Sequence, residues 1–126
     1  AKAMEVFDMA IERGWDKEYG GLLYFVDCMG FPPEAYEHDM KLWWPHDEIL
    51  IASLMIFRDT GDEQYLTWFE RTLDYCKEHF SDPEFGDWYG YLRRDGKPTE
   101  DVDDLILKVI DAPTKWEKRR SDREAR

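Results

Sequence analysis

The chain has 126 residues with 17 basic and 29 acidic side chains; 43% of its residues are apolar and 16% aromatic. That length suits one ordinary domain, and six Trp, seven Tyr and seven Phe are more ring surface than a disordered chain carries. Residues 1–113 hold a net charge of −15 and residues 114–126 one of +3, so the acidic body repels phosphate backbones and excludes nucleic acid as the main partner.

The first predicted element is a helix over residues 2–13. It leads into an acidic turn that ends in glycine, then a short run rich in β-formers at residues 22–26, and then Gly30 and Pro32. Such a run, bounded by turn residues, reads as one strand of a small hairpin. In the helix predicted from His46 to Phe57, the run from Ile49 onward is apolar on every side, which predicts enclosure on all faces. From residue 62 to 80 the apolar positions Tyr65, Phe69, Thr72, Leu73, Cys76 and Phe80 share one stripe, so this second helix has one wet face. Between the two, Thr60 and Asp62 both suit the N-cap, and the sequence does not choose between them. A second acidic turn and β-rich run follow at residues 82–92. Residues 99–110 predict a short helix with acidic residues in its first turn, and the basic tail (Lys115, Lys118, Arg119, Arg120, Arg123, Arg126) reads as a solvated terminus.

Laid on itself at an offset of 66, the chain repeats. Asp16, Glu18, Gly20, Gly30 and Pro32 recur as Asp82, Glu84, Gly86, Gly96 and Pro98, while Tyr19, Phe25 and Val26 return as Phe85, Tyr91 and Leu92. This period exceeds a single helical hairpin and must hold two helices plus the short strands. An enclosed helix and an amphipathic one, repeated with a hairpin at the same joint, predict the inner and outer rings of a double-layered helical toroid. Two such repeats cannot close a ring, so residues 1–98 read as a partial barrel. Its open faces would be covered by other chains, for example in a homodimer, and residues 99–126 read as a divergent end.

The candidate site is Met40 to Glu48, at the start of the enclosed helix. Pro45 suits the first helical turn, and Asp47 and Glu48 complement the positive end of the helix dipole. The adjacent Trp43 and Trp44 offer flat faces that can cover a sugar ring and indole N–H groups that can donate to its hydroxyls. They equally suit a core. His46, with a pKa lowered by the helix terminus, is the group best placed for proton work, although a hydrogen-bonded pocket histidine fits the residues as well. Cysteine and histidine spacing indicates no metal site. Cys28 and Cys76 lack close partners and read as free thiols of a reducing, cytoplasmic compartment. No apolar run reaches the roughly 20 residues of a membrane span, and the N-terminus lacks the order of a signal peptide.

The segments Lys41-Leu-Trp-Trp-Pro-His-Asp-Glu48 and Asp82-Pro-Glu-Phe-Gly-Asp-Trp-Tyr-Gly-Tyr-Leu92, with Gly14-Trp-Asp16, Gly20-Gly-Leu22 and Asp95-Gly-Lys97, closely resemble the C-terminal part of the N-acylglucosamine 2-epimerase family, also called renin-binding protein. Bacterial members commonly carry Gln at the position of His46. The resemblance implies an all-α (α/α)6 barrel and inversion at C2 of an opened amino sugar, interconverting N-acetylglucosamine and N-acetylmannosamine. It further implies a sugar pocket lined by Trp43, Trp44, His46 and Glu48, and no cofactor. The family's two acid/base histidines have no counterparts here, so no catalytic residue is assigned and the chain alone is expected to be inactive. A non-enzymatic protein-binding fragment is the alternative. A glycoside hydrolase would need a carboxylate pair across a cleft, such as Glu48 with Asp87 or Glu84.

Overall fold

The computed structural model describes residues 2–99. The helix and basic tail expected at 99–126 therefore lie almost wholly outside the described residues. Among the described residues three α-helices carry the fold: α1 (Lys2–Gly14), α2 (Trp43–Thr60) and α3 (Glu63–Tyr75), the last continuing as a π-helical turn, Cys76–Phe80. Two short strands, β1 (Lys41–Leu42) and β2 (Tyr91–Leu92), pair antiparallel with Lys41 opposite Leu92.

The helices meet through residues that their own spacing puts on one face. Phe7 and Ile11 of α1, Ile49 of α2 and Tyr65 of α3 form one buried cluster. Tyr75, Cys76, Phe80 and Leu92 form a second, against which Trp15, Leu50, Trp88 and Tyr89 pack. Asp62 is the cap of α3, its carboxylate accepting the Gln64 amide at 3.1 Å. Thr60 instead donates its hydroxyl to the Ile56 carbonyl at 2.8 Å. Gly61, at φ 69°, ends α2 and returns its N–H to the Phe57 carbonyl.

The 66-residue repeat holds at the level of single hydrogen bonds. Asp16 N–H donates to the Gly21 carbonyl and Asp82 N–H to the Asp87 carbonyl, both at 2.8 Å. Asp16 Oδ1 accepts the Glu18 and Tyr19 amides, and Asp82 Oδ1 accepts those of Glu84 and Phe85. Each turn closes on a single antiparallel bridge, Trp15 to Leu22 and Ser81 to Trp88, and Gly20 and Gly86 occupy the left-handed region at φ 76° and 72°.

Four expectations change. The hairpins at the two joints are smaller than the runs 22–26 and 88–92 suggested, closing locally on the single antiparallel bridges Trp15–Leu22, Ser81–Trp88 and Leu92–Pro98. The paired strands are β1 and β2, about fifty positions apart in the chain, and the Tyr24 and Phe25 amides donate to the carbonyls of Met40 and His38. Runs this short hold too few cross-strand contacts to fix their own partner, so helix packing chooses it. The second helix widens into a π turn after Tyr75. Its i→i+5 bonding sets Phe80 over Tyr75, with ring centroids 6.1 Å apart, and both side chains reach the core. Helix α2 begins at Trp43 rather than at His46, so Asp47 and Glu48 fall outside its first turn. Finally, α2 is not enclosed: Trp44, Ile51, Leu54 and Met55 form an exposed stripe. The described residues are one arc of a toroid, and the rest of the ring is not among them.

Candidate functional site

The site is built where β1 runs into α2. Leu42 holds an extended backbone as the α2 N-cap, and the next four residues point in different directions because a helix advances about 100° per residue. Trp43 and Asp47 are four apart and share one face, as do Trp44 and Glu48. Trp43 and Asp47 line an open depression of about 620 Å³ together with Gly86, Asp87 and Trp88 of the second turn. Trp44 turns toward the first turn region, its ring edge-on to Tyr24 at 5.9 Å. It stays 46% exposed, and Glu48 beside it is exposed as well.

His46 goes inward. It is fully buried; its Nδ1 lies 2.6 Å from the Leu42 carbonyl oxygen and its Nε2 accepts the Leu22 amide at 2.9 Å. These partners assign the tautomer, with the proton on Nδ1 donating to Leu42 and the lone pair on Nε2. Burial pushes the ring down to about 4, the bond to Leu42 opposing this and the Lys41 charge reinforcing it. Desolvation is thus the main cause, in place of the helix terminus invoked from sequence. The imidazole stacks on Tyr75 with ring centroids 5.4 Å apart and planes 11° from parallel. Neutral and bonded at both nitrogens, it ties the first turn to the start of α2.

Beneath the site lies a charge cluster that sequence reasoning missed. Lys41 Nζ donates to Asp16 Oδ2 at 2.7 Å and to the Arg94 carbonyl at 2.6 Å. Arg94 Nε reaches the same carboxylate oxygen at 3.0 Å, and its Nη2 reaches Glu18 at 3.2 Å. Burial alone would raise Asp16, yet the hydrogen bonds from Arg94, Lys41 and two backbone amides hold it well below the usual carboxylate range. Burial lowers Lys41, against the pull of Asp16. Recurrence of Asp16 and Glu18 at offset 66 marked the turn but not its partners; Arg94 carried no local signal. In the sequence Asp47 and Asp87 stand out for other reasons, and nothing there brings them together with Trp88 on one depression. Burial, then the Glu48 charge, raise the Asp47 carboxyl.

Of the four predicted site residues, Trp43 joins the depression, Trp44 and Glu48 share the open face, and His46 is buried between them. Glu48 does not line the depression with Asp87, so no carboxylate pair faces across it from that position. Among the described residues no group of three or more His, Cys, Asp or Glu could hold a metal ion, and no helix is long and apolar enough to cross a membrane.

A sequence model of N-acylglucosamine 2-epimerase (GlcNAc 2-epimerase) matches residues 1–105. The chain belongs to this family. It is 52% identical to N-acylglucosamine 2-epimerase of Bos taurus and 50% identical to that of Homo sapiens, in both cases over 89 residues that make up 71% of this chain and 21% of the relative. The chain thus spans about a fifth of the length of the curated relatives it matches. Among solved structures, a D-mannose isomerase superposes with a TM-score of 0.72 at 27% identity, covering 79% of this chain and 24% of that one. The cellobiose 2-epimerase of Bacillus thermoamylovorans gives 0.59 at 29% identity, covering 77% and 24%. The epimerase family resemblance and the partial (α/α)6 toroid read from sequence both stand.

Proposed function

We propose that this chain supplies one wall of an amino-sugar 2-epimerase site, acting on N-acetylglucosamine or N-acetylmannosamine, and that it does not turn over sugar by itself. The observation carrying this reading is the pair Trp44 and Glu48, four residues apart on α2. Both are exposed, and they continue the same open stripe as Ile51 and Met55. On an inner helix of a toroid that stripe faces the hollow. An indole face there can cover the apolar side of a pyranose while a carboxylate accepts from its hydroxyls. Trp43 extends the wall into the adjoining depression. His46 was expected to contact sugar; with both nitrogens bonded to backbone, we assign it the role of holding this wall from behind.

Inversion at C2 needs a base that removes the C2 proton, a group that returns one on the opposite face, and donors for the enediolate oxygen. His46 is a poor base near neutral pH and has no open lone pair. Glu48 could take a single proton, but no second acid/base group stands opposite it among the described residues. We place the chain in the cytoplasm on its two free cysteines.

The test is incubation with N-acetylmannosamine in D2O, following both the epimer ratio and deuterium at C2. The expected result is no exchange above the buffer rate; turnover of the order of 1 per second would overturn the assignment. A second reading, association with another protein chain, is favoured by the exposed Ile51, Leu54 and Met55. It predicts a mass in dilute solution above that of one chain.

A further inference from the structure

The two turns related by the 66-residue offset share their hydrogen bonds, differ in backbone where Gly21 at φ 76° is matched by Asp87 outside the left-handed region, and are unlike in occupancy. In the first, three groups converge on cations. Asp16 Oδ2 takes Lys41 Nζ and Arg94 Nε, Glu18 takes Arg94 Nη2, and the Tyr19 ring lies 5.3 Å from the Arg94 guanidinium carbon and 5.9 Å from Lys41 Nζ. Arg94 comes from the tip of the second repeat, so this is the clasp by which one repeat grips the next. Every receiving group recurs in the second turn: Asp82 for Asp16, Glu84 for Glu18, Phe85 for Tyr19. Asp82 Oδ1 makes the same two amide bonds. Yet among the described residues its Oδ2 meets no basic side chain, and Phe85 is 78% exposed, the most open of the large apolar side chains.

We propose that Asp82, Glu84 and Phe85 form a receptor for an arginine side chain, presented by the hairpin tip of a further repeat stacked on the second as the second stacks on the first. Exposure of the Phe85 ring is unfavourable in isolation. A guanidinium relieves it, pairing with the carboxylates while its planar face covers the ring. Carboxylates and a ring alone would be a weak indication. The stronger one is that the equivalent three groups, held by the same turn, bind an arginine 66 residues earlier in this same chain. The two turns also differ, and the difference bounds the claim. Asp87 stands where the first copy has Gly21, and Tyr75 packs so closely on Gly21 that a Cβ there would lie 2.5 Å from its ring. The receptor therefore takes the basic side chain without an aromatic ring beneath Asp87.

A disulfide-cyclised peptide reproducing residues 91–99, which contains the arginine that fills the first turn, is the probe. Titrated into isotopically labelled protein, it should shift the amides of Glu84, Phe85 and Gly86 saturably at millimolar concentration or below. Its Arg94→Ala form should bind at least tenfold more weakly. Asp82→Asn keeps the Oδ1 acceptor that the turn uses, so the fold survives, and should weaken binding by a similar factor; Glu70→Gln, on the exposed side of α3, should not. Absence of binding, or binding equally weakened by Asp82→Asn and Glu70→Gln, would overturn the proposal, the latter because it would reduce the effect to attraction by the acidic body.

Discussion

Lys41 and Asp16 meet at 2.7 Å with side chains 0% and 1% exposed, and this contact joins three parts of the chain that are far apart in sequence. Asp16 belongs to the first turn, Lys41 to β1 just ahead of the tryptophan pair, and Arg94, which shares the carboxylate, to the end of the second repeat. The wall bearing Trp44 is positioned by an ion cluster that touches no part of it directly.

Removing the carboxylate should be far worse than removing the arginine. Asp16→Ala leaves a buried ammonium with only the Arg94 carbonyl as acceptor and is expected to cost about 3–5 kcal/mol. Arg94 is 44% exposed at its side chain, so solvent screens its pairing and Arg94→Ala should cost far less than Asp16→Ala. Urea denaturation of both variants checks this; equal losses would mean that the pair Lys41 and Asp16 is not the dominant contact.

As the pH falls, His46 should weaken the fold ahead of Asp16. His46 is held at about 4 against an unfolded value near 6.5, so between these limits the unfolded chain binds a proton that the folded chain does not. Stability is then complete above pH 6.5 and falls as the pH drops toward 4, by at most about 3 kcal/mol. Asp16, also depressed, adds its loss only below the ordinary Asp range. His46→Gln offers an acceptor to Leu22 and a donor to Leu42. It should keep the fold at pH 7 and flatten the slope between 6.5 and 4 in denaturation midpoints measured at successive pH values.

Gly21 of the first turn, whose counterpart in the second is Asp87, is required more strictly than Gly86 of the second. Gly21→Ala places a Cβ 2.5 Å from Tyr75 at φ +76°, whereas Gly86→Ala at φ +72° meets nothing within 4 Å. The first should lose roughly 2–4 kcal/mol from strain and overpacking together, the second about 1 kcal/mol from backbone strain alone. Thermal melts of the two variants give the comparison.

Tyr75 offers a substitution expected to do no harm. Its hydroxyl is buried with no hydrogen-bond partner among the described residues, and burial pushes its pKa above the usual value. Tyr75→Phe keeps the stack on His46 and removes an unpaired polar group, so stability should be unchanged or rise by up to about 1 kcal/mol. A loss above 1 kcal/mol in chemical denaturation would show that the hydroxyl is satisfied, for instance by an ordered water.

The sequence by itself determined the elements and their repetition. The helix over residues 2–13, the apolar run from Ile49 to Phe57 and the stripe of the third helix depend on neighbours three and four residues away. The turn at Asp16 and its copy at Asp82 are built from a side chain bonding its own backbone two and three residues on. Local rules of this kind are legible without a fold. The family motifs, carried by contiguous residues, were legible for the same reason. Tertiary structure alone decided that β1 pairs with β2, that Arg94 closes on Asp16, that Trp43 and Trp44 part company, and that His46 turns inward to be held by Leu22 and Leu42. Each of these depends on which surfaces meet when the helices pack. Helical spacing fixes the angle between neighbouring side chains but not which side faces the core; that is settled by the apolar area and the polar partners that distant segments bring to each face.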